Sequence, residues 1–214
     1  MTEYECRNHL VEICHRMYRQ GYIAAADGNV SVRLGRDRVL VTPTGMHKGF
    51  IGPGDLVVTD LEGKKQSGKY KPTSEFGLHA ICYALRPDVH AVVHAHPPIS
   101  VALALAGVSM ESCVLSEACL VLGPVLTVPY TTPTTDEVPQ ALKTYVPRAN
   151  ALIMNRHGSI TLGASLDEAY NRLETLEHSA KILHAAHLIR PATPLVGEDK
   201  AKLDAIAARL RGGC

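Results

Sequence analysis

Leu10, Ile13, Cys14 and Met17 fall three and four residues apart, so one stripe of a helix over 3–20 faces a core, and Gly21 suits its end. The period then changes to two. Val30, Val32 and Leu34 alternate with Ser31 and Arg33, and Val39-Leu40-Val41 follows across Gly35-Arg36-Asp37-Arg38, which predicts two strands joined by a hairpin turn. A third strand passes through 56–58, and the Gly- and Lys-rich stretch 62–71 reads as an exposed loop. Thr73 or Ser74 then caps a helix whose stripe is Leu78, Ile81, Cys82 and Leu85. That places Glu75 in the first helical turn, with Pro87 closing the helix.

The β-branched run 89–96 predicts a strand stopped by Pro97-Pro98, followed by a short helix over 100–106. Strands are expected near 114–115 and at 125–128, a helix over 136–145, and a strand at 151–154, from which His157-Gly158 turns away. Ser165 and Glu168 have the spacing of a capping box, and Ala169, Leu173, Leu176, Ala180 and Leu183 form the stripe of a long helix behind it. A final helix carries Leu203, Ile206, Ala207 and Leu210. Strands mixed with helices, with no internal repeat, predict a single α/β layered domain over 1–214, its central sheet covered by helices.

Composition narrows the function. At 214 residues and 46% hydrophobic, the chain can bury a full core. Its net charge of +1, from 22 basic and 21 acidic residues, gives no basic stripe for a nucleic-acid backbone, and eight Tyr and two Phe with no Trp leave little for base stacking. An anionic ligand must therefore be held by a local pocket. No apolar run approaches the roughly 18 residues that span a bilayer, so a cytoplasmic protein without membrane contact is expected. The six cysteines, Cys6, Cys14, Cys82, Cys113, Cys119 and Cys214, contain no CxxC pair and are expected to be reduced, structural thiols.

The candidate chemistry begins at His94 and His96. Residues two apart on a strand point the same way, so both imidazoles can chelate one ion. Catalytic zinc takes three protein ligands and keeps one position open, and His157, leaving the end of an apolar strand, is the natural third. The alternative is three unrelated histidines satisfied by backbone hydrogen bonds. His90 shares the parity of the pair and reads as a structural or supporting residue. His79, His178, His184 and His187 read as ordinary helix-surface or interface histidines.

Five motifs in register resemble the class II aldolase/adducin family, its fuculose 1-phosphate aldolase branch in particular. They are Gly28-Asn29-Val30-Ser31, Thr42-Pro43-Thr44-Gly45-Met46, Thr73-Ser74-Glu75, Val93-His94-Ala95-His96-Pro97 and Arg156-His157-Gly158. The resemblance implies a mainly antiparallel central sheet, and His94, His96 and His157 as ligands of Zn2+, with Mn2+ or Co2+ possible for the same donors. It implies Glu75 as the catalytic acid/base and Gly28, Asn29, Thr44, Gly45, Thr73 and Ser74 as a cradle for a sugar phosphate. It further implies a homotetramer with active sites at subunit interfaces. Small residues and hydroxyls at a helix start suit an anion on physical grounds as well.

The chain departs from that branch where tyrosines act near the aldehyde half of the substrate. Its middle segment reads Cys113-Val114-Leu115-Ser116-Glu117-Ala118, and no Tyr follows Tyr170. Glu117 or Tyr130 is then the candidate replacement proton donor. A changed distal pocket also fits relatives that cleave 5-deoxyribulose 1-phosphate or 5-methylthioribulose 1-phosphate. The rival readings are a ribulose 5-phosphate 4-epimerase, where the position of Glu75 is usually Asp, a methylthioribulose 1-phosphate dehydratase, and a non-catalytic adducin-like module.

Overall fold

Thr2 opens the first helix, α1 (Glu3–Arg19), through a reciprocal cap: its hydroxyl accepts the Glu5 N–H at 3.3 Å while its own N–H donates to the Glu5 carboxylate at 2.7 Å. Gly21, at φ +71°, closes the helix, with the Tyr22 N–H returning to the Met17 carbonyl. The computed structural model describes residues 2–212, with side chains as far as Arg209. Eight strands follow: β1 (Asn29–Arg33), β2 (Val39–Val41), β3 (Val57–Thr59), β4 (Lys65–Ser67), β5 (Ala91–Ala95), β6 (Val125–Val128), β7 (Ala151–Met154) and β8 (Gly158–Gly163). The further helices are α2 (Phe76–Leu85), α3 (Pro98–Leu105), α4 (Ser116–Leu122), α5 (Glu137–Leu142), α6 (Leu166–Ile189) and α7 (Gly197–Gly212).

One sheet runs in the order β4-β3-β2-β1-β5-β8-β7-β6, antiparallel throughout except for the parallel β6–β7 pair. This is the expected α/β fold with a mainly antiparallel central sheet. Its two faces are both covered. Val30, Val32, Ala91, Val93 and Ala95 pack with Leu10, Ile13, Tyr170 and Leu173 of α1 and α6. Val41, Val92, Leu152 and Leu162 pack with Leu78, Cys82, Val138 and Leu142 of α2 and α5. Because side chains alternate along β1, Asn29 and Ser31 turn away from Val30 and Val32 and lie buried against α2. Among the described residues, no helix is long and apolar enough to cross a membrane.

Several local expectations change. The strand near 114–115 is absent; Leu115 instead precedes α4. The expected loop at 62–71 contains β4, three exposed residues paired only to β3 at the sheet's edge, with a register shift. Beyond the turn expected at His157-Gly158, residues 158–163, for which no element was expected, form β8, fully buried between β5 and β7. The helix expected over 136–145 ends at Leu142, and the capping box at Ser165 is half made: its hydroxyl accepts the Glu168 N–H, but the Glu168 carboxylate takes the N–H of Ala164. Cys6, Cys14 and Cys82 are buried free thiols, whereas Cys113 and Cys119 are disulfide-bonded. α4 brings Cys119 back to a Cα separation of 5.7 Å from Cys113, within the range a bridge spans. The side chain of Leu210 and Cys214 lie outside the described residues.

Candidate active site

β5 ends at Ala95, so His94 projects from the penultimate residue of a fully buried strand and His96 from the residue just beyond it. His157 sits in the tight β7–β8 connection, after Arg156 at φ +62°. Side-chain nitrogens of these three residues lie within 4.8 Å of one another, the one metal-competent cluster found among the described residues. Gly158 makes that packing feasible. A Cβ at this position would stand 2.5 Å from both the Ala95 carbonyl oxygen and His96 Cδ2, and 3.0 Å from His94 Cε1.

His94 Nδ1 lies 2.9 Å from the Ser159 carbonyl oxygen, which can only accept, so Nδ1 carries the ring proton and Nε2 presents a lone pair. That lone pair faces His96 Nε2 at 3.1 Å and a Glu75 carboxylate oxygen at 3.4 Å. The second Glu75 oxygen is 3.1 Å from His157 Nε2. His157 Nδ1 is buried with no hydrogen-bond partner. Burial holds His94 down to about 3, reinforced by His96 and His157 and opposed by Glu75, so the ring is neutral at physiological pH. Burial, then His157, lowers His96 as well, against the pull of Asp27. Burial works against charge on Glu75, but the hydrogen bonds from His157 and from the Asn29 amide hold the carboxyl below its usual range. A lone pair and a carboxylate facing each other across 3.4 Å repel unless a cation lies between them. The donor set of three imidazoles and one carboxylate therefore fits a divalent metal.

Glu75 is not in the first helical turn, as its position after Thr73-Ser74 suggests, but at the N-cap of α2, with its N–H bonded to Thr73 Oγ1 at 3.2 Å. This leaves the carboxylate free of capping duty. It borders an open cavity of ≈ 270 Å3, also lined by Gly28, Asn29, Thr44, Gly45, Thr73 and Ser74, with His96 and His157 at one side. Gly28 needs its φ of +67°, and a Cβ there would strike Ile23 and the His94 carbonyl oxygen. At Gly45, φ +68°, a Cβ would meet only open space. The Asn29 side chain is spent on Glu75 and His79.

The structure does not bring Glu117 or Tyr130 to this cavity. Glu117 is exposed on α4 and lines a separate groove with Tyr22 and Glu174, and Tyr130 is exposed after β6. His90 is exposed at the opposite end of β5, beside Arg33 and Ala164, too far along the strand to support the site. His79, read as a surface histidine, is fully buried beneath Asn29. Lys48 and Thr134 also line the cavity and had no signal in the chain's periodicity. Lys48 is 2% exposed, and its ammonium donates to the carbonyls of Ala26 and Met46 at 2.8 Å each. Burial lowers it, opposed by Cys14, Asp27 and Glu75.

The family model for the class II aldolase and adducin N-terminal domain matches residues 8–184. The L-fuculose phosphate aldolase of Methanococcus vannielii is 36% identical over 174 residues, which cover 81% of this chain and 93% of that protein. The methylthioribulose-1-phosphate dehydratase of Methylococcus capsulatus is 34% identical over 201 residues, 83% of this chain and 92% of that protein. The crystal structure of YgbL from Klebsiella pneumoniae, whose description spans aldolase, epimerase and decarboxylase, superposes with a TM-score of 0.88 at 31% identity, covering 95% of this chain and 99% of that one. By the extent of these matches and by its fold, the chain belongs to the class II aldolase and adducin N-terminal domain family, and within it is fuculose phosphate aldolase-like.

Proposed function

We propose that the protein is a metal-dependent aldolase that cleaves a ketose 1-phosphate to dihydroxyacetone phosphate and an aldehyde. The observation that carries this reading is the convergence of His94, His96 and His157 on one another, with the Glu75 carboxylate against His94 and His157, at the wall of an open, hydroxyl-lined cavity. The three imidazoles would hold the ion, Zn2+ in the first instance with Mn2+ or Co2+ as alternatives, and when bound it supplies the positive charge that carbon–carbon cleavage next to a carbonyl requires. Glu75 handles the proton at the carbon released from the broken bond. As a carboxylate it can also accept that proton in the condensation direction.

Thr44, Gly45, Thr73 and Ser74 receive the phosphate near the start of α2, where the helix dipole favours negative charge, and the buried ammonium of Lys48 adds to the field. The proton on the aldehyde half passes to Glu117 or Tyr130 only if a neighbouring subunit brings one of them over the cavity. That requires the homotetramer with interface active sites expected of the family.

Three substrates separate the readings: fuculose 1-phosphate, 5-deoxyribulose 1-phosphate and 5-methylthioribulose 1-phosphate. Release of dihydroxyacetone phosphate is expected from at least one, with His94→Ala losing both metal and turnover. Full activity in metal-free His94→Ala protein refutes the scheme. A second reading, dehydration of 5-methylthioribulose 1-phosphate, is supported by the Methylococcus relative, and mass spectrometry of the product would reveal it as the loss of one water.

A further inference from the structure

A chain of buried hydrogen bonds with one permitted polarity runs from the sheet to Glu75. The Glu75 oxygen can only accept, so the Asn29 amide nitrogen faces it at 2.8 Å. Asn29 Oδ1 must then point the other way, to His79 Nε2 at 2.5 Å, and because a carbonyl oxygen also only accepts, Nε2 carries the proton. The ring is fully buried, and burial pushes it down to about 4, so it is neutral and its Nδ1 is bare. Ser31 donates to that nitrogen at 2.7 Å and, its one proton committed, accepts from the Tyr83 hydroxyl at 2.7 Å. Arg33 lies over the Tyr83 ring at 4.6 Å and donates to the Tyr83 carbonyl. No member of the relay is more than 3% exposed among Asn29, Ser31, His79 and Tyr83, so water cannot rearrange it.

We propose that His79 is a positioning residue: as the neutral Nε2–H tautomer it fixes the Asn29 amide with its N–H side toward Glu75, and so aims the carboxylate that handles the substrate proton. The catalytic half of this statement rests on the function proposed above; the polarity of the relay does not. An Asn side chain is nearly isosteric under a half turn. Without His79 to choose the orientation, Asn29 can present its oxygen to Glu75, and an attraction of 2.8 Å becomes a repulsion. The first turns of α2 thus do two jobs, delivering Glu75 at the N-cap and, one turn later, the ring that orients its partner.

Two measurements test this. Nitrogen NMR of histidine-labelled wild-type protein at neutral pH is expected to show His79 as the Nε2–H tautomer. A proton on Nδ1, or on both nitrogens, overturns the relay whatever the activity. Kinetics test its role, read as cleavage kcat and KM, as deuterium exchange into dihydroxyacetone phosphate, and as bound metal. His79→Phe is expected to lower kcat and exchange by about tenfold while KM and metal content stay within about twofold, as for loss of one buried hydrogen bond.

His79→Gln, which keeps a donor for Asn29, should recover part of the loss. Ser31→Ala, a gentler change, should lose less in the same direction. In a Glu75→Gln background, His79→Phe should cost nothing more, because there is no longer a carboxylate to aim. Equal losses in the Phe and Gln variants, or metal falling in step with kcat, or additivity with Glu75→Gln, each overturn the positioning role. If wild-type protein shows neither exchange nor cleavage, the proposed function falls and the catalytic meaning of the relay with it, while the NMR result still decides its polarity.

Discussion

Gly158→Ala should damage metal binding more than it damages the fold. The added methyl would stand 2.5 Å from His96 Cδ2 and from the Ala95 carbonyl oxygen, where ordinary contacts begin at 3.4 Å. Relief requires about 0.9 Å of movement at both contacts: the His96 ring must swing away, and the Ala95 carbonyl at the end of β5 or the β7–β8 connection must also give. Overpacking of this kind costs about 1–3 kcal/mol of stability. Metal geometry is less forgiving: ligand distances hold to about 0.2 Å, so a ring moved several times that far leaves the coordination sphere. The expected loss in zinc affinity is therefore about a hundredfold or more, beyond the roughly 10–100-fold typical of changes around a metal's ligands.

Competition against a chromophoric chelator gives the affinity, and urea unfolding of the metal-free protein gives the stability. Gly163→Ala is the control, because its methyl would collide with the Ala169 N–H and the Ser165 carbonyl, remote from the histidines. It should lower stability and leave the affinity of the folded protein unchanged. Wild-type zinc affinity in Gly158→Ala, or equal loss in Gly163→Ala, would refute the reasoning.

Glu75→Gln should retain metal by elemental analysis, since three imidazoles remain, while turnover falls by on the order of a hundredfold or more; near-normal turnover would remove Glu75 from the chemistry. Lys48→Met should raise KM for the phosphorylated substrate about tenfold and lower stability by about 1–3 kcal/mol as the Ala26 and Met46 carbonyls lose their donor, with metal content unchanged. An unaltered KM in steady-state kinetics would show that this charge does not reach the phosphate. In metal-free protein, resistance to urea should fall as pH drops from about 6.5 to about 4, because unfolding lets the buried His79 take up a proton at its ordinary value, which burial denies it when folded. His79 contributes on the order of 3 kcal/mol across that window, fully present above it and lost below; burial lowers His94 and His96 too, so His79→Gln should reduce the slope without abolishing it. An unchanged slope would show that another group controls it.

The order of helices and most strands was legible because their apolar spacing matches the faces they bury. β4 was not, since Lys65, Gln66 and Ser67 are all exposed and contribute only backbone to an edge. β8 was obscured by its surroundings: Ser159 and Thr161 are polar, yet both are fully buried because helices cover both faces of the sheet. The same cover hid His79 and Ser31. A polar residue in an alternating strand normally signals solvent, and here it signals a network under α2. The His94/His96 pair stood out because a strand places residues two apart on one side, and the structure brings His157 to them. Nothing local marked Lys48, whose partners are backbone carbonyls fixed only by the folded loops.

The placement of β8 between β5 and β7 also orders events in time. The strand that carries His94 pairs with β1 on one flank and with β8 on the other, partners about 60–70 residues away in either direction. Closing such distant pairings is slow, and His157 joins the other two histidines only when the β7–β8 hairpin has paired with β5. A nascent chain can present His94 and His96 long before the third nitrogen exists as a neighbour. Zinc added to refolding protein should accordingly leave the rate of assembly almost unaltered and prolong the lifetime of the finished molecule instead.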